Sequence, residues 1–239
     1  RPFCYTIATF ALFRPFEFIR DDLAYQGLPV VVVGMGAGLN YPTLGGTHQA
    51  VDDVAAALAI PNLRVLTPSC PADISGAIEL CLMTSDGSPS MPTYLRLGKS
   101  GEVDLPGEVI EDLGIRIIQD GMPGNGTCLL ACGPIAAEVV AAAGAAGLSI
   151  WAVTKLPMRS EAIDATYQAF AEVVVVEEAS GAPLFANLCT ALHGSDVRIR
   201  SICLPRRFDH VYGSRAQLLR YYGLSASCIA ERLHEWGLL

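Results

Sequence analysis

Val30-Val31-Val32-Val33 is the stretch that most narrows the folds open to this chain. Four successive β-branched residues offer no polar face, so a strand made from them must be covered on both sides. A parallel sheet with helices on both faces meets that condition. Gly34-Met35-Gly36-Ala37-Gly38 then ends the run as a flexible loop at a strand's carboxyl end, where open α/β sheets place ligands. A second valine run, Val173 to Val176, lies in the last third of the chain.

Strand-like and helix-like segments alternate around these runs. Cys4–Ala8, Pro29–Val33, Leu63–Leu66 and Pro92–Leu97 read as strands by their β-rich, apolar composition. Arg14-Pro15 suits a helix start and predicts a helix through Glu17 to about Gln26, stopped by Gly27. His48–Ile60 reads as a helix with Thr47 as its N-cap, and Asp73–Met83 as the next. Residues 98–112 are rich in Gly, Pro and acid without periodicity and read as a linker. Beyond it come strands over 127–131, 148–153, 172–176 and 197–204, helices over 135–146 and 183–192, and two short closing helices, the last N-capped by Ser225. The expectation is an α/β protein of two doubly wound domains, residues 1–105 and 106–239. Arg1-Pro2-Phe3 runs straight into a strand, so the first domain reads as lacking its N-terminal part.

Composition excludes several classes. The net charge of −8 and the absence of a Lys/Arg track argue against nucleic-acid binding. No apolar run reaches the roughly 18 residues of a membrane span, so neither nucleic acid nor membrane is an expected partner. The 8 cysteines show no C-x-x-C spacing and no cluster with histidine, which reads as free buried thiols in a reducing cytoplasm. No metal ligands are expected.

The residues able to carry chemistry are few. Phe10, Phe13 and Phe16 stand at spacing three. Alone they read as a core stripe; functionally they could wall a flat heteroaromatic ring by offset stacking. Gly45-Gly46-Thr47-His48 is a glycine turn ending in an imidazole. In the first turn of a helix, His48 would be favoured neutral by the helix dipole and could shuttle a proton to a developing alkoxide. Arg96 ends a strand and reads as a surface cation, or as a clamp for a phosphate or carboxylate. Asp52-Asp53 reads as a helix-start pair, and Glu177-Glu178 as an acidic pair ending a buried strand. Ser180-Gly181 lacks the nucleophile-elbow pattern, and His193, His210 and His234 are isolated.

Taken in order, the aromatic triplet, the Gly-x-Thr-His-Gln turn, Pro61-Asn62 through Pro68, and a strand ending in Arg resemble the pyrimidine-binding domain of the transketolase family. The remainder resembles that family's C-terminal domain. The resemblance implies thiamine diphosphate and Mg²⁺ as cofactors, with Phe13 stacking on the aminopyrimidine and Phe10 and Phe16 flanking it. It implies that His48 contacts the donor ketose and that Arg96 binds a sugar phosphate. The implied reaction transfers a two-carbon ketol unit from a ketose to an aldose. The family's cofactor-activating glutamate and its diphosphate- and metal-binding domain have no counterpart in this sequence. The implied partner is therefore a diphosphate-binding subunit or segment, in a dimer or a dimer of heterodimers. Leu44 stands where the family has an aspartate, Gly46 where it has proline, and Gly34 where it has a phosphate-contacting histidine. These departures keep open a decarboxylating relative, similar to deoxyxylulose-phosphate synthase or a 2-oxo acid dehydrogenase β subunit, and a non-catalytic interaction subunit.

Overall fold

The structure, a computed structural model, describes residues 1–82, 91–99, 101–110, 114–121, 126–158 and 170–239. Two parallel-dominated sheets form its frame. The first contains β1 (Phe3–Ile7), β2 (Val31–Met35), β3 (Arg64–Leu66), β4 (Thr93–Leu97) and β9 (Lys155–Leu156), in the order β1-β2-β4-β3-β9. The second contains β5 (Glu108–Ile110), β6 (Ile115–Gln119), β7 (Thr127–Cys132), β8 (Ser149–Val153), β10 (Glu172–Ser180) and β11 (Arg198–Leu204), in the order β11-β10-β7-β8-β6-β5. Both valine runs lie in the interior: Val31 to Val33 on β2 and Val173 to Val176 on β10 are buried, as strands covered on both faces must be.

Helices fill the layers: α1 (Ala8–Leu12), α2 (Phe16–Phe18, continuing as a π-helix over Ile19–Tyr25), α3 (Asp53–Leu58), α4 (Ile74–Leu82), α5 (Ala136–Ala143), α6 (Pro183–Ala191), α7 (Arg215–Tyr221) and α8 (Ala226–Glu235). Ser225 caps α8 as expected, accepting from the Cys228 N–H at 3.4 Å. Among the described residues no helix is long and apolar enough to cross a membrane.

Three expectations are corrected. The chain turns helical directly after β1, and α1 ends before Pro15, whose ring and missing N–H bar an α-helix from running through it. The three phenylalanines therefore share no single helix. The helix expected over 48–60 is only Asp53–Leu58, and Thr47 caps nothing: its residue sits in a 3₁₀ turn, Gly45–Thr47. The expected linker holds β5, which pairs antiparallel with β6; an antiparallel pair needs only a short turn, so the glycine and proline texture hid it. The end of the helix expected over Asp73–Met83 lies outside the described residues at Met83.

The two sheets share a core rather than a thin contact. One apolar cluster runs from Leu12, Val32, Val54 and Val65 of the first half to Leu130, Val173 and Leu184 of the second. β9, from the second half, pairs antiparallel with β3 of the first. Asp73 at the foot of α4 pairs with Arg116 of β6 at 2.7 Å, with both side chains nearly free of solvent.

Glu177, near the carboxyl end of β10, accepts the Leu184 and Phe185 N–H groups at 3.1 and 3.2 Å, so it caps α6 from within the core. Burial pushes its carboxyl up to about 7. A folded pKa above the unfolded one means the native state holds the proton more tightly, so this group's contribution is complete below the ordinary carboxylate range and is lost as pH rises through about 7. Glu177→Gln should therefore gain melting temperature over the parent as pH rises from 4.5 to 8; a pH-independent difference between the two would refute the assignment.

Candidate active site

Of the sequence-predicted residues, Phe10 and His48 meet near the carboxyl end of β1. Thr9 on α1 donates from its hydroxyl to the Thr47 carbonyl at 3.1 Å, tying α1 to the glycine turn. This contact brings Phe10 edge-on to His48, with ring centroids 5.1 Å apart. Tyr41 meets the same imidazole at 6.0 Å, and the Arg14 guanidinium lies over Phe10 at 4.7 Å. Phe13 and Phe16 are half-buried and pack by part of their surface against the shared core.

His48 lies outside α3, so no α-helix dipole bears on it. Its Nδ1 is 2.8 Å from the Thr47 hydroxyl, which gives its own proton to the Leu44 carbonyl at 3.3 Å. With the hydroxyl hydrogen on the Leu44 carbonyl, a hydrogen on Nδ1 completes the network and leaves the Nε2 lone pair for another group. The next residue, Gln49, is buried, and its Nε2 has no acceptor in the structure. A buried donor without a partner is costly and marks a place for a ligand oxygen or nitrogen.

Arg96 is not brought to this cluster as an open fork. It is 2% exposed; its Nε bonds Asp53 at 2.8 Å and one terminal nitrogen donates to the Ala50 carbonyl at 3.1 Å. Tyr94 donates its hydroxyl to the same Asp53 oxygen at 2.8 Å. Burial alone would lower the Arg96 pKa, but the charge of Asp53 and its hydrogen bond outweigh that and keep the guanidinium ionised. Burial, with Asp53 beside it, pushes the Tyr94 phenol up. Asp53 is thus the counter-ion of Arg96 at the base of the His48 loop, a role that its position in a helix-start pair does not reveal.

β2 runs through Met35, beyond the expected start of the loop, and Gly34 on it and Gly36 and Gly38 after it make room for this protein's own side chains rather than for a ligand. A Cβ on Gly34 would stand 2.5 Å from the Tyr94 hydroxyl, so the phosphate-contacting histidine that the resemblance implies has no space there. A Cβ on Gly36 would stand 2.0 Å from the Tyr41 ring, and one on Gly38 2.6 Å from the Glu178 carboxyl carbon. Tyr212 and Phe208, from the second half, lie over Gly45 and Gly46 in the same way.

Sequence reasoning also missed Lys99. Its ammonium lies 4.8 Å over the Tyr41 ring, and it lines a cavity of about 220 Å³ with Tyr5, Met35, Leu97 and Pro134. Among the described residues no group of three or more His, Cys, Asp or Glu could hold a metal ion.

The two parallel-dominated sheets place the chain among the α/β folds, which bind ligands at strand carboxyl ends. Comparison with known proteins makes this specific. Residues 1–101 match the pyrimidine-binding domain of transketolase, and the chain is similar over nearly its whole length to transketolase-type proteins. It is 32% identical over 97% of its length to a 1-deoxy-D-xylulose-5-phosphate synthase of Symbiobacterium thermophilum, covering 36% of that protein. It is 29% identical over 98% of its length to the 6-deoxy-6-sulfo-D-fructose transketolase subunit SqwH of a Clostridium species (strain MSTE9), covering 73% of it. A solved split-gene transketolase, described as an inactive β4 tetramer, superposes with a TM-score of 0.79 at 23% identity, over 98% of this chain and 75% of that one. The chain thus spans about a third of the synthase and about three quarters of the split subunits.

Gly36 adopts φ +81° under the Tyr41 ring. Gly36→Ala should destabilise the chain by on the order of 1–3 kcal/mol, from the strained backbone together with the displaced ring. Chemical denaturation measures this, and a variant as stable as the parent would mean that Tyr41 does not pack there.

Proposed function

We propose that this chain is the pyrimidine-binding part of a thiamine diphosphate-dependent enzyme that transfers a two-carbon ketol unit from a ketose to an aldose. A diphosphate-binding partner chain or segment completes it. The observation that carries the reading is the Phe10–His48 cluster: an imidazole with a free Nε2 beside half-exposed aromatics. The residues fit the ring half of the cofactor, with apolar aromatic surface and an orphaned buried donor at Gln49. The carboxylates that would hold Mg²⁺ and the diphosphate belong to the partner.

When bound, thiamine diphosphate supplies the electron sink for breaking a carbon–carbon bond next to a carbonyl. This chain's residues orient and exchange protons. Phe13 stacks on the aminopyrimidine, and Phe10 and Phe16 keep water from its edges. His48 takes and returns a substrate hydroxyl proton at Nε2, while Thr47 holds Nδ1. Because Arg96 is spent on Asp53 and Ala50, Lys99 is the cation that meets an anionic substrate end. The neighbour described as an inactive β4 tetramer supports a chain that is inactive without its partner.

The 32% identity to a deoxyxylulose-phosphate synthase supports a second reading, decarboxylation of a 2-oxo acid with the same cofactor and the same residues. A ketose and a 2-oxo acid, each supplied with the completed enzyme, separate the two by which is consumed.

Calorimetric titration of thiamine diphosphate and Mg²⁺ into the chain with a diphosphate-binding partner should show binding that the chain alone lacks. No binding in the mixture would refute the reading. Phe13→Ala should weaken that binding by on the order of 1–3 kcal/mol. His48→Ala should leave cofactor affinity within about twofold and lower kcat by about 10²-fold or more; normal turnover would remove His48 from the mechanism. Lys99→Met should raise KM for a phosphorylated substrate and not for its unphosphorylated counterpart, and equal effects on both would exclude it as the anion contact.

A further inference from the structure

The strand order of the second sheet reverses between β7 and β10: β8 leaves β7 on one side, and β10 then returns on the other. In open α/β sheets the crevice outside the carboxyl ends of such a pair is where ligands bind. Here the chain fills it with its own first half. Leu39 is almost wholly buried and belongs to the core cluster of the second sheet, with Leu129, Ala131 and Val176. Its N–H donates to Glu178 Oε1 at 2.6 Å. Arg215 on α7 holds the Glu178 carboxylate through two bonds, of 2.5 and 2.7 Å. Gly38, at φ +61°, lets that carboxylate approach so closely that any Cβ would collide with it.

The same seat carries both flanks of His48. The Gly38 N–H donates to the Ala50 carbonyl at 2.8 Å, and Ala50 lies two residues beyond the imidazole. Asn40 closes its turn onto the Ala37 carbonyl at 2.8 Å and leads into Tyr41, whose ring meets His48. Arg96, from the first sheet, reaches the Ala50 carbonyl from below.

We propose that the crevice of the second sheet is a socket for the loop bearing His48, and that Glu178, locked by Arg215, is the positioning residue that seats it. The second half of the chain thereby takes part in catalysis without touching substrate. This inference rests on the reading of His48 as the proton-exchanging group.

Amide hydrogen exchange on the full chain tests the seating without any cofactor. Glu178→Gln and Arg215→Met should each speed exchange over residues 36–50 at least tenfold while β7 and β8 keep parental protection; Arg215→Lys should restore part of the protection. With the diphosphate-binding partner, both variants should lose at least tenfold in kcat while KM and thiamine diphosphate affinity stay within about twofold. Unchanged exchange over 36–50 in both variants would overturn the proposal. So would faster exchange spread equally over β7 and β8, because Glu178 would then serve global stability alone. A parent chain that binds no cofactor with its partner would overturn the catalytic reading instead, while the exchange data would still decide the seating.

Discussion

Arg96 and Asp53 are charged groups with almost no exposure, and most of the site's geometry follows from the need to keep them together. Removing one partner of so deep a pair leaves an uncompensated charge at a cost of about 3–5 kcal/mol. β4 brings Arg96 and α3 brings Asp53, so the pair fixes that helix against the strand. One terminal nitrogen of the guanidinium then donates to backbone carbonyls, those of Ala50 and, at 3.5 Å, Glu178. One buried cation thus joins the strand that carries it, the end of the His48 loop and the last turn of β10. A pair like this adds little net stability over apolar residues of the same shape. What it supplies is a single position for the loop.

The glycines at 34, 36 and 38 belong to the same arrangement. A glycine-rich segment after a strand usually signals a ligand approaching the backbone. Here Tyr94, Tyr41 and Glu178 occupy those approaches, two of them as hydrogen-bond partners of the buried network. The loop is packed rather than open, which suits a group that must hold an imidazole still. Tyr94 fills the space that any side chain at position 34 would need.

Local chemistry made much of the fold legible and little of the network. Valine runs specify their strands because covering both faces is the only way to satisfy them, and Ser225 predicts its cap because the bond spans three residues. Pro15 starts α2 as its chemistry predicts, whereas α1 ahead of it was missed because it forms where the shared core buries Ala8, Ala11 and Leu12. His48 reads as helical because Gln49 to Leu58 has no breaker. The chain instead stays extended at Ala50 to pair with Gly38, a contact that local propensity does not encode. Glu178 lies 139 residues from its partner Leu39, and Arg96 reads as exposed because its counter-ion is 43 residues away. The meeting of Phe10 with His48 was legible only as an ordered motif.

The uneven covering of the first sheet bears on how such a site would be completed. β2 is buried almost throughout, whereas Phe3, Cys4, Tyr5 and Thr6 of its neighbour β1 are all exposed. β1 is an edge strand, and parallel sheets rarely leave a strand bare on both faces. α1, with Phe10, follows from its carboxyl end without a break, and Tyr5 lines the cavity beside Lys99. The aromatics assigned to the cofactor and the bare strand are therefore neighbours along the chain. On the proposed reading, a partner that supplied the diphosphate half of the site from this side would cover the strand in the same contact.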